Sequence, residues 1–308
     1  MALGSDRPVA ATSSVRVPVT LVALCVLTCC EREKTPVSGQ SAASTAGRSA
    51  GATGSVVSWD NAFGDVVATP SIETGAPVLF LRDTGATGDF QVELLNHEGR
   101  STHAIMSPLT RRHSCAWERA GVLAGTAGQP STAVWSLALA PGVATPIAID
   151  GISELLPRDS VALATRIHRH VSAVPDDSAS GPFRGLPIVV RDAWLFRLED
   201  SSMVAIAVAI RSLNVESNPR TEVTTIIVEH APAWGAEDWR TGYVQRSAGP
   251  EDRVEGADLL AAFRLQGERT AVAFAREGEK GLQVDIVERT APATWLVRWS
   301  SGALPCVR

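Results

Sequence analysis

The 308-residue chain has few of several residue types: two lysines, one tyrosine, three methionines and five cysteines. With 28 basic against 33 acidic residues it has a net charge of −5, so no basic tract is present for nucleic acid and no nucleic-acid partner is expected. No apolar run approaches the roughly 18 residues of a spanning helix. Short catalytic signatures are missing too. There is no Gly-Lys pair, hence no Walker-type phosphate loop. Glu31 and Glu277 stand three residues before the two lysines, Lys34 and Lys280, which removes the Ser-x-x-Lys arrangement. His97-Glu98 opens like a zinc-protease motif, but Ser101 occupies the place of the second histidine. Cys115 and Cys306 are not in Cys-x-x-Cys pairs, so neither redox nor metal chemistry is expected there, and no cofactor is called for.

What is present begins at the N-terminus. Arg7 and Arg16 precede the apolar run from Val17 to Thr28, which is followed by Cys29-Cys30 and an abrupt charged turn, Glu31-Arg-Glu-Lys34. A basic start and an apolar stretch of this length are the grammar of a secretory signal. Leu27-Thr28-Cys29-Cys30 resembles the lipobox of bacterial lipoproteins, in which a small residue precedes the cysteine that becomes the acylated mature N-terminus. The resemblance implies a signal peptide over residues 1–29, lipidation at Cys30, and anchoring to a cell-envelope membrane outside the cytoplasm through acyl chains. Cys29 in the place before Cys30 departs from the usual Gly, Ala or Ser; cleavage before Cys29, after Thr28, is the other register.

Of the 25 residues from Glu31 to Ser55, 17 are Ser, Thr, Ala or Gly and none is aromatic. Such a stretch buries too little surface to offset its ordering entropy, so residues 30–55 are expected to form a flexible tether. If Cys25, Cys29 and Cys30 are used by the signal and the anchor, Cys115 and Cys306 remain. In an oxidising compartment they either form a disulfide or sit as two buried thiols.

From residue 56 onward, short apolar or alternating runs separated by turn residues predict a mainly β, α+β domain over 56–308, built of antiparallel strands and hairpins. The run Met203 to Ile210 is apolar on both alternating sets and predicts a central strand covered on both faces. Gln283, Asp285 and Glu288 among Leu282, Val284, Ile286 and Val287 predict a strand with one wet face. One packed amphipathic helix is expected near 159–174, capped by Asp159 and stopped by Pro175. Val254 to Leu265 fits a second helix or a further strand. Phe80-Leu-Arg-Asp83 with Gln91–Leu95 echoes Phe274-Ala-Arg-Glu277 with Gln283–Val287, and both stretches read as hairpins. Residues 175–182 form the best interior loop and a possible subdivision.

Two candidate sites follow. Asp83-Thr84-Gly85 resembles the Asp-Thr/Ser-Gly turn of aspartic proteases, which would make Asp83 a catalytic carboxylate of an extracytoplasmic hydrolase. Arg82 just before it and the single copy of the motif depart from that family. The second site is aromatic: Trp295 and Trp299, spaced by four on one strand, are expected to point to one side. With Trp194, Trp234, Trp239 and Tyr243 they either line a binding face for a glycan or a partner protein, or pack in the core. The absence of a recognisable catalytic set favours a binding or assembly domain.

Overall fold

The computed structural model describes residues 61–70, 77–81, 88–108, 121–123, 135–214, 217–235, 238–279 and 281–302. Cys30, Asp83, Cys115 and Cys306 lie outside the described residues. The domain is mainly β with one packed helix.

In chain order the strands β1 (Val66–Pro70), β2 (Pro77–Leu81), β3 (Phe90–Leu95), β4 (Ser101–Pro108), β5 (Gly121–Leu123) and β6 (Leu137–Leu139) make sheet I, in the order β2-β1-β6-β3-β4-β5. Its outer strands β2 and β5 come alongside each other, so the sheet curls towards closure around Val66, Ala68, Val92, Leu94, Ala104, Met106 and Trp135. The short strands β7 (Ala144–Ile147) and β8 (Asp150–Gly151) then pass the chain between two further sheets. After the helix α1 (Pro157–Ala173), β9 (Val189–Arg197), β10 (Met203–Leu213), β11 (Arg220–His230) and β12 (Arg240–Pro250) join β8 in sheet II. Finally β13 (Gly256–Leu265), β14 (Arg269–Gly278), β15 (Gly281–Ala291) and β16 (Thr294–Ser300) join β7 in sheet III. The stretch from Val254 to Leu265 is therefore a strand.

The layers stack as helix, sheet II, sheet III, sheet I, and residue size alternates to match. On β10, Ala205, Ala207 and Ala209 lie under Leu163, Ile167 and Val171 of α1, where small side chains let the helix approach. Val204 and Ile206, on the other face, meet Leu259, Val272 and Phe274 of sheet III. On β14, Ala271, Ala273 and Ala275 face Phe63, Phe80 and Leu139 of sheet I. Sheet III is thus buried on both faces, and each large aliphatic side chain so covered contributes about 1.5–3 kcal/mol.

The two four-strand meanders β9–β12 and β13–β16 repeat short sequences. Phe196-Arg-Leu198 at the end of β9 matches Phe263-Arg-Leu265 at the end of β13. Ile227-Val-Glu229, followed by Ala231-Pro-Ala-Trp234, matches Ile286-Val-Glu288, followed by Ala291-Pro-Ala-Thr-Trp295. Phe196 faces sheet III as Phe263 faces sheet I, so equivalent faces point the same way through the stack. The expected echo between residues 80–95 and 274–287 fares differently. β14 and β15 do form a hairpin, but β2 and β3 are separated in sheet I by β1 and β6.

The helix starts earlier than its predicted cap. Leu156 is the N-cap and makes no side-chain hydrogen bond, with Pro157 at the first helical position, where its fixed φ fits and its missing N–H is no loss. Asp159 lies inside the first turn, and the helix ends just before Pro175, as expected. Because Leu156 is exposed, Leu156→Asp is expected to raise stability by about 0.5–1.5 kcal/mol by accepting a free amide of the first turn. The midpoint of urea unfolding measures this; no change or a fall contradicts it.

Candidate ligand site between the sheets

The strand expected to have one wet face gives the correction from which the site follows. Gln283, Asp285 and Glu288 on β15 do not form a solvent-facing row. Asp285 is 3% exposed and Glu288 7%, because sheet III has sheet I on one side and sheet II on the other. A carboxylate in such a layer needs a partner. Glu288 is paired with Arg269, whose Nε donates to Oε1 at 2.7 Å and whose Nη2 bonds to Oε2.

Asp285 belongs to a larger set that converges from two sheets. Arg276 on β14, also 3% exposed, places Nε 2.8 Å from Asp285 Oδ2. Its Nη2 donates to the Tyr243 hydroxyl at 2.9 Å, which donates in turn to Gln245 Oε1 at 2.7 Å. Gln283 Nε2 donates to Asp285 Oδ1 at 2.8 Å. Despite its closeness to Asp285, Arg276 Nε makes no hydrogen bond.

The strand register explains why these residues meet. On β11, Thr221, Thr225 and Ile227 lie opposite Gly249, Gln245 and Tyr243 of β12, while Val223 lies opposite Ser247. Cross-strand partners share a face, and Ile227 and Tyr243 face sheet III. The layer between sheets II and III therefore changes along its length. It is apolar around Ile206, Ile227, Phe274 and Val287, and polar towards Thr221, Gln245, Ser247, Arg276 and Gln283. It is also open at the polar end: β12 is half-exposed from Gly242 to Pro250, and a Cβ built on Gly249 meets nothing within 4 Å. Ser247 Oγ accepts the Glu255 amide at 3.2 Å, which fixes the β12–β13 connection beside the opening.

Burial pushes the Tyr243 phenol up to about 12, with the Asp285 charge adding to the shift and Arg276 opposing it. The phenol thus remains a protonated donor at any physiological pH.

The other end of the same layer is closed. Glu229, fully buried at the end of β11, accepts four hydrogen bonds. Arg289 donates Nη2 to Oε1 at 2.6 Å and Nε to Oε2 at 3.1 Å; the Ala293 amide and Trp295 Nε1 donate to Oε2 at 3.1 and 3.2 Å. This carboxylate ties β11 to β15 and β16. At the same corner the Gly242 backbone lies close against β16 and its turn, since a Cβ there would stand 2.5 Å from Trp295 Cδ1 and 3.1 Å from the Ala293 carbonyl carbon.

The two tryptophans expected to share a side do not. Trp295 is 2% exposed and packs between sheets II and III, whereas Trp299 is 3% exposed and packs against Phe63 and Phe80 between sheets III and I. Arg298 is an extra residue in β16, because Trp299 pairs with Ile286 and Val297 with Val287. That bulge reverses the alternation, and neither ring forms a surface. Trp239 and Trp234 are half-buried on the outer hairpin, Trp239 under Arg166 of α1 at 4.4 Å and Trp234 under Arg240 at 4.2 Å. The Arg166–Trp239 contact holds the helix against the hairpin, together with His170 Nδ1 and Thr241 Oγ1 at 3.0 Å.

Burial, then the charges of Arg169 and Arg166, hold the His170 pKa below its ordinary 6.5. The unfolded chain therefore binds this proton more tightly than the folded one. The contribution is fully present above the unfolded value and is lost as pH falls below it. Tm is expected to fall between pH 7 and pH 5 in a part that His170→Gln removes, and an unchanged pH slope in that variant contradicts the assignment.

Further polar side chains serve the fold. His97 Nε2 donates to the Leu259 carbonyl at 2.8 Å, and Arg191 Nη2 to that of Ala257 at 2.9 Å, so side chains satisfy the free edge of β13. The loop 175–182 is fastened to sheet II, where Arg211 bridges Glu222 at 2.7 Å and Asp176 at 3.0 Å, and Arg246 Nη1 donates to Pro175 O and Ser180 Oγ, both at 3.0 Å. Among the described residues no three His, Cys, Asp or Glu side chains are grouped to hold a metal ion, and no helix is long and apolar enough to cross a membrane. No protein-family model, curated protein or solved structure matches the chain.

Proposed function

We propose that this chain is an envelope-anchored lipoprotein whose β-rich domain binds a ligand without transforming it, using the polar set between sheets II and III. The observation that carries the reading is the condition of the two acids in that set. Asp285 is engaged by Arg276 and Gln283, and Tyr243 holds its proton up to about 12. General acid–base work needs a group poised near the operating pH; these groups are arranged to donate and accept hydrogen bonds. The lipobox-like Leu27-Thr28-Cys29-Cys30 and the Ser/Thr/Ala/Gly-rich segment after it support the anchor, with acyl chains on Cys30 carrying the domain on a tether. A disulfide between Cys115 and Cys306 fits the same compartment.

Native mass spectrometry of the full-length protein extracted from bacterial membranes tests this. The expected result is an N-terminus at Cys30 bearing acyl chains, Cys115 and Cys306 alkylated only after reduction, and a non-covalent adduct released on unfolding. An unacylated full-length chain contradicts the anchor. A protein that carries no adduct and retains nothing from an envelope extract contradicts the binding role.

A further inference from the structure

We infer that the ligand is a neutral saccharide, held by its hydroxyl groups at the open end of the layer between sheets II and III by the half-exposed Gln245 and Gln283, which the buried Tyr243 and Arg276–Asp285 pair hold in place. The assignment rests on the binding role proposed above. Four observations converge on it.

First, the charges of the set cancel, one guanidinium against one carboxylate 2.8 Å away, so an ionic ligand would meet an opposing charge of its own sign as closely as its partner. Second, the set mixes donors and acceptors. The two half-exposed planar amides can each give and take hydrogen bonds from neighbouring hydroxyls, each of which is both donor and acceptor, while the buried phenol, carboxylate and guanidinium fix the amides' orientation. Third, hydrogen-bonding capacity is left over. Among the described residues the Gln245 amide nitrogen and the Gln283 carbonyl oxygen are not used in the chain that joins them. Fourth, there is access: Gln245, Ser247, Gly249 and Gln283 are half-exposed, and the inner side of Gly249 opens on free space. The Tyr243 ring, packed on the apolar part of the layer, bounds the site on its inner side.

Calorimetry and thermal shift on detergent-solubilised full-length protein test this with five probes. Glucose, N-acetylglucosamine and maltose are the neutral ones; glucose 6-phosphate and galacturonate are the charged counterparts. At least one neutral saccharide is expected to bind saturably and raise Tm, with its charged counterpart tenfold weaker or more. Gln283→Ala is expected to weaken that binding at least tenfold. Gly249→Trp, which fills the open space inside Gly249, is expected to abolish it. Neutral binding that survives both substitutions places the saccharide elsewhere and overturns the inference. Binding of charged probes alone overturns the ligand class and leaves the binding role standing. Binding of none also overturns the saccharide assignment, and the adduct seen by native mass spectrometry then decides separately whether the binding role stands.

Discussion

Replacing Glu229 with alanine is expected to cost about 3–5 kcal/mol, the usual penalty for breaking a buried pair, since Arg289 would keep only the half-exposed Asp200, 3.0 Å from its Nη2. The carboxylate has no exposure and receives four hydrogen bonds from Arg289, Ala293 and Trp295. Removing it strands two N–H bonds of the Arg289 guanidinium, a backbone amide and an indole N–H at the corner where β11, β15 and β16 meet. For a domain of this size the loss corresponds to a fall in Tm of roughly 10 °C. Glu229→Gln keeps an acceptor but not the charge, and is expected to fall between the two. Equilibrium unfolding in urea provides the measurement. A loss below about 1 kcal/mol would show that the lock is not what holds this end of the layer together.

The second large effect concerns Arg276. Arg276→Met leaves Asp285 ionised, buried and facing an apolar neighbour, and is expected to destabilise by about 3–5 kcal/mol or to force the carboxyl to take up a proton. The double variant Arg276→Met/Asp285→Leu behaves differently. Substituting a whole buried ion pair by apolar residues of similar volume is often neutral or stabilising by about 1–4 kcal/mol. The double variant is therefore expected to recover at least the wild-type stability. A double variant as unstable as the single one would mean that the pair stabilises the fold, and its retention would need no ligand to explain it.

Much of this architecture can be read in the sequence, and its failures have specific causes. The alternating Val-Ala-Ile-Ala-Val-Ala-Ile of β10 correctly predicts a strand covered on both faces; the structure adds that the alanines lie under the helix and the larger residues meet sheet III. The polar residues of β15 read as one wet face, but they split between its two faces. Gln283 and Asp285 lie towards sheet II with Arg276, and Glu288 lies towards sheet I with Arg269, so each carboxylate is buried between two sheets beside an arginine. The spacing of four puts Trp295 and Trp299 on one side of a regular strand, which a single bulged arginine undoes. Residue type favours Asp159 as the helix cap, whereas Pro157 fixes the start two residues before it.

The candidate site was the least legible part. Its members come from β12, β14 and β15, no two of them forming a recognised motif, and they are joined only by strand register. Two signals were available. Tyr243-x-Gln245-x-Ser247-x-Gly249 has an alternation in which the inner set is polar and tapers to glycine. The repeat of Phe-Arg-Leu, Ile-Val-Glu and Ala-Pro-Ala-Trp marks two stacked meanders, from which a layer between sheets could have been expected. Asp83 stands outside the described residues, and nothing in the structure bears on it.

The most direct test of the binding role is to compare wild type with Arg276→Met/Asp285→Leu in two readings on the same preparation: the urea midpoint and the adduct retained in native mass spectrometry. The account predicts that stability is preserved or raised while the adduct disappears. A double variant that keeps both its stability and its adduct would show that the polar set between sheets II and III is not where the ligand is held.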